Sequence, residues 1–186
     1  FFSSWGNTDL WKTDGTPGGT VKVATVTDLN LDLDPENAGI GGLVDVDGTL
    51  AFIVTDFSRV QLWKSDGTGP GTVLVHDFGL DSEIDIWDHT TYCAVGDRLF
   101  GAVSTIDTGY ELWVSDLTTG ASLVEDINLG TAGSDPYGMI AFGDKLYFAA
   151  DDGTNGVELW VSDGTPDGTE MVMDIQTVPT LGSYPT

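Results

Sequence analysis

One tripeptide recurs four times along this chain, and it constrains the fold more than any other feature. Asp9-Leu10-Trp11, Gln61-Leu62-Trp63, Glu111-Leu112-Trp113 and Glu158-Leu159-Trp160 stand 52, 50 and 47 residues apart, Trp to Trp. Three positions after each Trp comes an acid: Asp14, Asp66, Asp116 and Asp163. Gly follows that acid in three copies, as Gly15, Gly67 and Gly164, while the third copy has Leu117. A second Gly closes each segment at Gly19, Gly71, Gly120 and Gly168, and an alternating apolar stretch comes next. A chain with such internal periods folds one supersecondary unit several times over.

The best copy reads as four strands. Tyr137 to Phe142 is a short apolar segment, and Gly143-Asp144 turns the chain tightly. Lys145 to Ala150 is the second strand, Asp151 to Gly156 a polar loop, and Val157 to Ser162 the third strand. Asp163 to Gly168 turns again, and Thr169 to Ile175 is the fourth. Turn residues at intervals of about 8–12 between period-2 segments predict an antiparallel meander. No segment carries the 3.6-residue period of an amphipathic helix. The expected units are about 1–37 (a partial blade), 38–86, 87–133 and 134–178, with 179–186 opening a further one.

Alternation puts Leu112 and Val114 on one face of a strand and Trp113 on the other. Both faces are then apolar, so each sheet must be covered on two sides. The fold class expected is all-β: tandem four-stranded antiparallel blades. Closed around an axis they form a β-propeller, at about 40–50 residues per blade; stacked in line they form a rod. The unit length favours the propeller.

The string Glu158-Leu159-Trp160-Val161-Ser162-Asp163-Gly164-Thr165 resembles the ELWxxDGT repeat, and the resemblance extends over nearly the whole chain. The first copy has Asp9 for the Glu, the second Gln61, and the third lacks the Gly-Thr after Asp116. The family is found mainly in large secreted or surface proteins of bacteria. The resemblance implies propeller-like blades and an extracellular or cell-surface location. It brings no catalytic residues.

Composition limits the partners. There are 30 acidic residues against 6 basic ones, a net charge of −24, and 24 of the acids are Asp. Such a charge repels nucleic-acid phosphates and anionic membranes, while cations or a salty medium relieve its self-repulsion. No apolar run approaches the ~20 residues that span a bilayer, so membrane insertion is not expected. Cys93 is the sole cysteine, excluding a disulfide within the chain. It stands in an apolar run with no cationic neighbour, as a small hydrophobe.

The recurring residues read as structure: Trp11, Trp63, Trp113 and Trp160 as packing anchors, and Asp14, Asp66, Asp116 and Asp163 as turn formers. The strongest chemical pattern lies between repeats. Asp28, Asn30, Asp32, Asp34 and Glu36 place oxygen at every second position, as calcium ligands require. Leu33 stands where an EF-hand loop needs Gly, and Gly39 where it needs a bidentate Glu. The alternative is an acidic edge facing water. Asp81, Glu83 and Asp85 repeat the theme. No Gly-x-Ser-x-Gly, His-Glu-x-x-His or phosphate-binding Gly loop occurs, and of the two histidines, His76 and His89, His76 sits in an alternating strand and reads as structural. Carboxylate pairs suited to glycoside hydrolysis arise by chance among so many acids.

The expectation is a non-enzymatic structural or assembly protein, forming filaments or a surface matrix. The alternative is an adhesion module that binds carbohydrate or protein with calcium. The chain begins inside one blade and ends at the start of another, and joining its ends would give a Trp step shorter than any of the three observed. Either the chain is a window on a longer array, or its open blades are expected to self-associate by strand pairing.

Overall fold

The computed structural model describes residues 1–4, 8–29, 33–34, 36–56, 58–84 and 90–175. Among the described residues, fifteen strands form four antiparallel sheets, each a meander in which sequence neighbours pair. The first sheet has three strands: β1 (Phe2–Ser3), β2 (Asp9–Lys12) and β3 (Val21–Thr25). The other three have four each. They comprise β4 (Gly39–Val46), β5 (Thr49–Thr55), β6 (Arg59–Ser65) and β7 (Val73–Leu80); β8 (Tyr92–Val95), β9 (Arg98–Thr105), β10 (Gly109–Ser115) and β11 (Ala121–Glu125); and β12 (Tyr137–Phe142), β13 (Lys145–Asp151), β14 (Val157–Ser162) and β15 (Glu170–Met173). Each sheet falls within one of the units expected from the repeat. The only helical elements described are two 3₁₀ turns, Val26–Leu29 and Pro166–Gly168. Thr169 caps the second, its amide donating to the Pro166 carbonyl, so β15 begins one residue later than expected.

Every Leu-Trp pair lies in the third strand of its meander, or in β2 of the shorter first sheet. The register sets their neighbours: Phe52 lies opposite Trp63, Phe148 opposite Trp160 and Gly101 opposite Trp113. On the other side of the Leu-Trp strand the register shifts between Leu and Trp in all four sheets. A bulge at one fixed place adds local twist and re-aims the following residue. Its recurrence is a repeat at the level of backbone geometry.

The chain divides into two compact units, Phe1–Ser82 and Glu83–Thr186. Within the first, Leu10, Ala24 and Val26 from the first sheet and its exit share one core with Ile40, Leu50, Phe52, Val54 and Trp63 of the second. Within the second, Phe100, Ala102 and Leu112 of the third sheet share a core with Leu146, Phe148, Ala150 and Trp160 of the fourth. Both cores have the same construction: the Leu-bearing face of the earlier sheet meets the Trp-bearing face of the later one. At about 25 cal/mol per Å² of apolar area buried, these seams are what the sheets gain by stacking. On the opposite face of the second sheet, Ala51, Ile53 and Leu62 are also buried.

Candidate functional site

The four corners after Trp are the most repeated local structures. In the first, the Asp14 carboxylate accepts hydrogen bonds from the Thr16 amide (2.9 Å) and hydroxyl (2.7 Å). Thr16 Oγ1 accepts from the Gly19 amide, and the Thr20 hydroxyl donates to the Thr16 carbonyl. Asp66, Thr68, Gly71 and Thr72 repeat this set, as do Asp163, Thr165, Gly168 and Thr169. These Thr hydroxyl and amide bonds hold Asp14, Asp66 and Asp163 below the usual carboxylate range. In the third corner the amides of Thr119 and Thr118 do the same for Asp116.

The two glycines of the corner have different physical reasons. Gly15, Gly67 and Gly164 have φ between +86° and +89°, a region that costs L side chains energy. Leu117 occupies the equivalent place at φ 59°, and its side chain is buried. Gly19, Gly71 and Gly168 need no special φ. A Cβ built on any of them would overlap the carboxylate of Asp14, Asp66 or Asp163. The second glycine is there to let the carboxylate fold over it.

Sequence reading passed over two further positions. The first is the hydroxyl two residues after Trp. Thr13 pairs with Thr20, Ser65 with Thr72 and Ser162 with Thr169, each at 2.8 Å across the mouth of the corner. In the third copy Ala121 replaces that Thr, and Ser115 donates to the Gly120 carbonyl instead. The repeated Ser or Thr at this place in all four copies was the available signal.

The second is the acid that opens the tripeptide. Glu111 and Glu158 are fully buried. Glu111 accepts from the Asn128 amide (3.1 Å) and the Ser134 hydroxyl (2.5 Å). Glu158 accepts from the Ile175 amide, the same seventeen residues downstream. Burial pushes the Glu111 carboxyl up, with the bonds from Ser134 and Asn128 opposing it. Ser134 links two sheets of the second unit: its amide donates to the Tyr110 carbonyl and its own carbonyl accepts from the Asp151 amide. Glu111 thus anchors the crossing from the third sheet to the fourth. In the second copy, Gln61 accepts from Trp63 Nε1 and donates to Asp77.

The tryptophans occupy two environments. Trp63 and Trp160 are 5% and 9% exposed, inside the two cores. Trp160 Nε1 donates to the Ala150 carbonyl at 3.1 Å. Trp11 and Trp113 are half-buried. Trp11 stacks on Phe2, with ring centroids 6.4 Å apart.

Of the proposed calcium ligands, Asn30 and Asp32 lie outside the described residues. Asp28 accepts from the Thr25 amide, and Asp34 accepts from the Glu36 amide and the Asn37 side chain. The Asp34 amide in turn donates to Asp56. Glu36 is exposed. Among the described residues no three His, Cys, Asp or Glu side chains converge on a metal-sized space. Asp28 borders a crevice of about 370 Å³ whose other walls include Leu29, Trp63 and Thr72. In the second acidic loop Asp85 lies outside the described residues, as does His89. Glu83 accepts from the Tyr110 hydroxyl. His76 packs edge-on against Phe78, and burial lowers its pKa. Cys93 is half-buried, and burial raises its thiol pKa.

No family model and no curated protein sequence matches the chain. Its fold is similar to that in a crystal structure of a puromycin hydrolase mutant complexed with PGG. The TM-score is 0.59 and the identity 12%, over 88% of this chain and 24% of that one. The likeness is one of fold alone. This chain spans about a quarter of that protein's length, and at this identity no active-site residue carries across.

Proposed function

We propose that this chain is a non-enzymatic, extracellular structural protein of the ELWxxDGT type. Its four sheets are successive blades of a propeller-like repeat array, and its role is to assemble into filaments or a surface matrix. The observation that carries this reading is the seam between sheets. Twice in the chain a Leu-bearing face is packed against the Trp-bearing face of the following sheet. A unit built to be covered by another of its kind is suited to assembly, and the chain devotes its recurring side chains to that purpose. Each corner Asp binds its own turn, each buried Glu binds the next linker, and Trp63 and Trp160 fill cores.

A charge of −24 suits a protein kept dispersed until cations or salt screen it. The test is negative-stain electron microscopy of the purified chain, with and without about 0.5 M salt. Regular filaments or sheets in salt support the proposal. Single dispersed particles under both conditions overturn it.

A further inference from the structure

The residue that opens each tripeptide faces a fixed position on the strand that follows. Asp9 pairs with Thr25, and Gln61 with Asp77. Leu112 pairs with Glu125 and Leu159 with Met173, so one step further on Glu111 faces Asp126 and Glu158 faces Asp174. In the second sheet the side chains meet: Gln61 Nε2 donates to Asp77 Oδ2 at 3.0 Å, while Asp77 Oδ1 accepts from the Gly79 amide at 2.9 Å. Asp126 also uses one oxygen, Oδ2, on a loop amide, that of Gly130 at 3.1 Å. Its Oδ1 is buried with no donor among the described residues, and so is Oδ1 of Asp174. The spare oxygen therefore occurs in the two copies that have Glu where the second has Gln. A carboxamide has two hydrogens to give, a protonated carboxyl one and a carboxylate none.

We infer that Glu111 in its acid form donates its proton to Asp126 Oδ1, and Glu158 likewise to Asp174 Oδ1. Two repeats then close by a shared proton the contact that the second closes by an amide. The proton comes from water, and each pair passes from two negative charges to one. The surroundings of Glu111 leave Asp126 as its counterpart. Val103 lies opposite on β9. The crossing brings the amides of Ile127 and Asn128 and the Ser134 hydroxyl, all donors to Glu111, and Asp126 is the charged group that acts on it. Asp151, whose amide donates to the Ser134 carbonyl, has its carboxylate on the Gly153 amide. Glu111 Oε2 can accept from Ser134 and still give its own proton to Asp126. Burial raises the Glu111 pKa and favours the acid form, and the second carboxylate adds to it. Protonation also supplies a donor to a buried oxygen that is costly to leave without one. The link forms as pH falls through the raised titration and opens above it. Gln61 has no such proton to lose, so the second repeat lacks this response.

The experiment is a double-mutant cycle on the full chain: wild type, Glu111→Met, Asp126→Ala and the two together, with urea midpoints at about pH 5 and pH 8. Met has nearly the length of Glu and no proton to give. The loss of the Gly130 bond in Asp126→Ala cancels in the cycle. The two side chains are expected to stabilise each other at pH 5 and to destabilise each other at pH 8, each by about tenfold in the folding equilibrium. Coupling that is unfavourable at pH 8 and vanishes at pH 5 is repulsion alone, and it overturns the shared proton. Coupling absent at both means that the side chains do not meet, which also overturns it. Circular dichroism verifies folding, and Glu111→Leu replaces Glu111→Met if that variant fails. A second measurement leaves Glu111 in place: a carbon NMR titration of the carboxyl groups in the wild type and in Asp126→Ala. In the wild type the Asp126 carboxyl carbon is expected to move with the Glu111 step. In Asp126→Ala that step is expected to fall by about one pH unit, a tenfold weaker hold on the proton. An Asp126 carbon that stays still through the Glu111 step, or a step unmoved in the variant, overturns the inference. Neither readout depends on assembly, so its outcome is separate from that of the electron microscopy.

Discussion

At the scale of single residues, the corner after Trp shows how a repeated letter can have a repeated physical cause. An Asp-Gly pair signals a turn, and the turn is present. The reason for the second glycine differs, because it makes room for the Asp carboxylate. Gly168→Ala therefore forces the Asp163 side chain out of its bonds with Thr165, even though alanine suits the backbone there. The expected result is a loss of stability, read as a lower urea midpoint. An unchanged midpoint would show that the carboxylate has another place to go. The serine and threonine pairs across the corner were legible in principle, since the hydroxyl recurs two residues after every Trp. Its partner seven residues on was hidden because the turn between them is what brings the two together.

Among elements, the meanders were readable almost to the residue. Period-2 alternation and Gly-containing turns act locally, and a strand's start and stop depend on them. The strand expected at Tyr137 to Phe142 has those bounds, and β13 runs one residue further than expected, to Asp151. What alternation cannot tell is which of two apolar faces meets which neighbour. The sheets resolve this in one direction, Leu face to following Trp face, and so the four tryptophans are unequal. Trp160→Ala opens a cavity among Phe148, Leu146 and Phe100, and is expected to cost about 3–5 kcal/mol. Trp11→Ala removes a half-buried ring stacked on an exposed Phe2, and is expected to cost less than half as much. Chemical denaturation of the two variants side by side checks the order; equal losses would mean that both faces are covered alike in solution.

For the whole molecule, charge is the dominant variable, and it acts with two opposite signs. Asp14, Asp66, Asp116 and Asp163 have pKa values below the ordinary 3.8. Their contribution is complete above 3.8 and is lost as pH falls through the folded values. Glu111 lies above its ordinary 4.5. Its buried charge destabilises the fold at neutral pH, and protonation relieves this as pH falls through the raised value towards 4.5. Glu111→Gln removes that titration and keeps one acceptor for the Asn128 amide. The stability of the wild type relative to the variant is thus expected to rise between pH 8 and pH 5, followed by thermal melts at fixed salt. A pH-independent difference would mean that Glu111 titrates normally in the folded chain. His76 and the overall self-repulsion are common to both proteins and cancel in the comparison.

The amino-acid string by itself determined the repeat, the all-β class, the strand boundaries and the corner chemistry. Each depends on residues within about a dozen positions of one another, where propensity and turn geometry decide. The buried role of Glu111 and Glu158, the direction of the Leu-to-Trp stacking and the unequal burial of the tryptophans were decided only by the tertiary structure. Burial is a property of what lies opposite a side chain, and in a stacked sheet that neighbour comes from a different repeat.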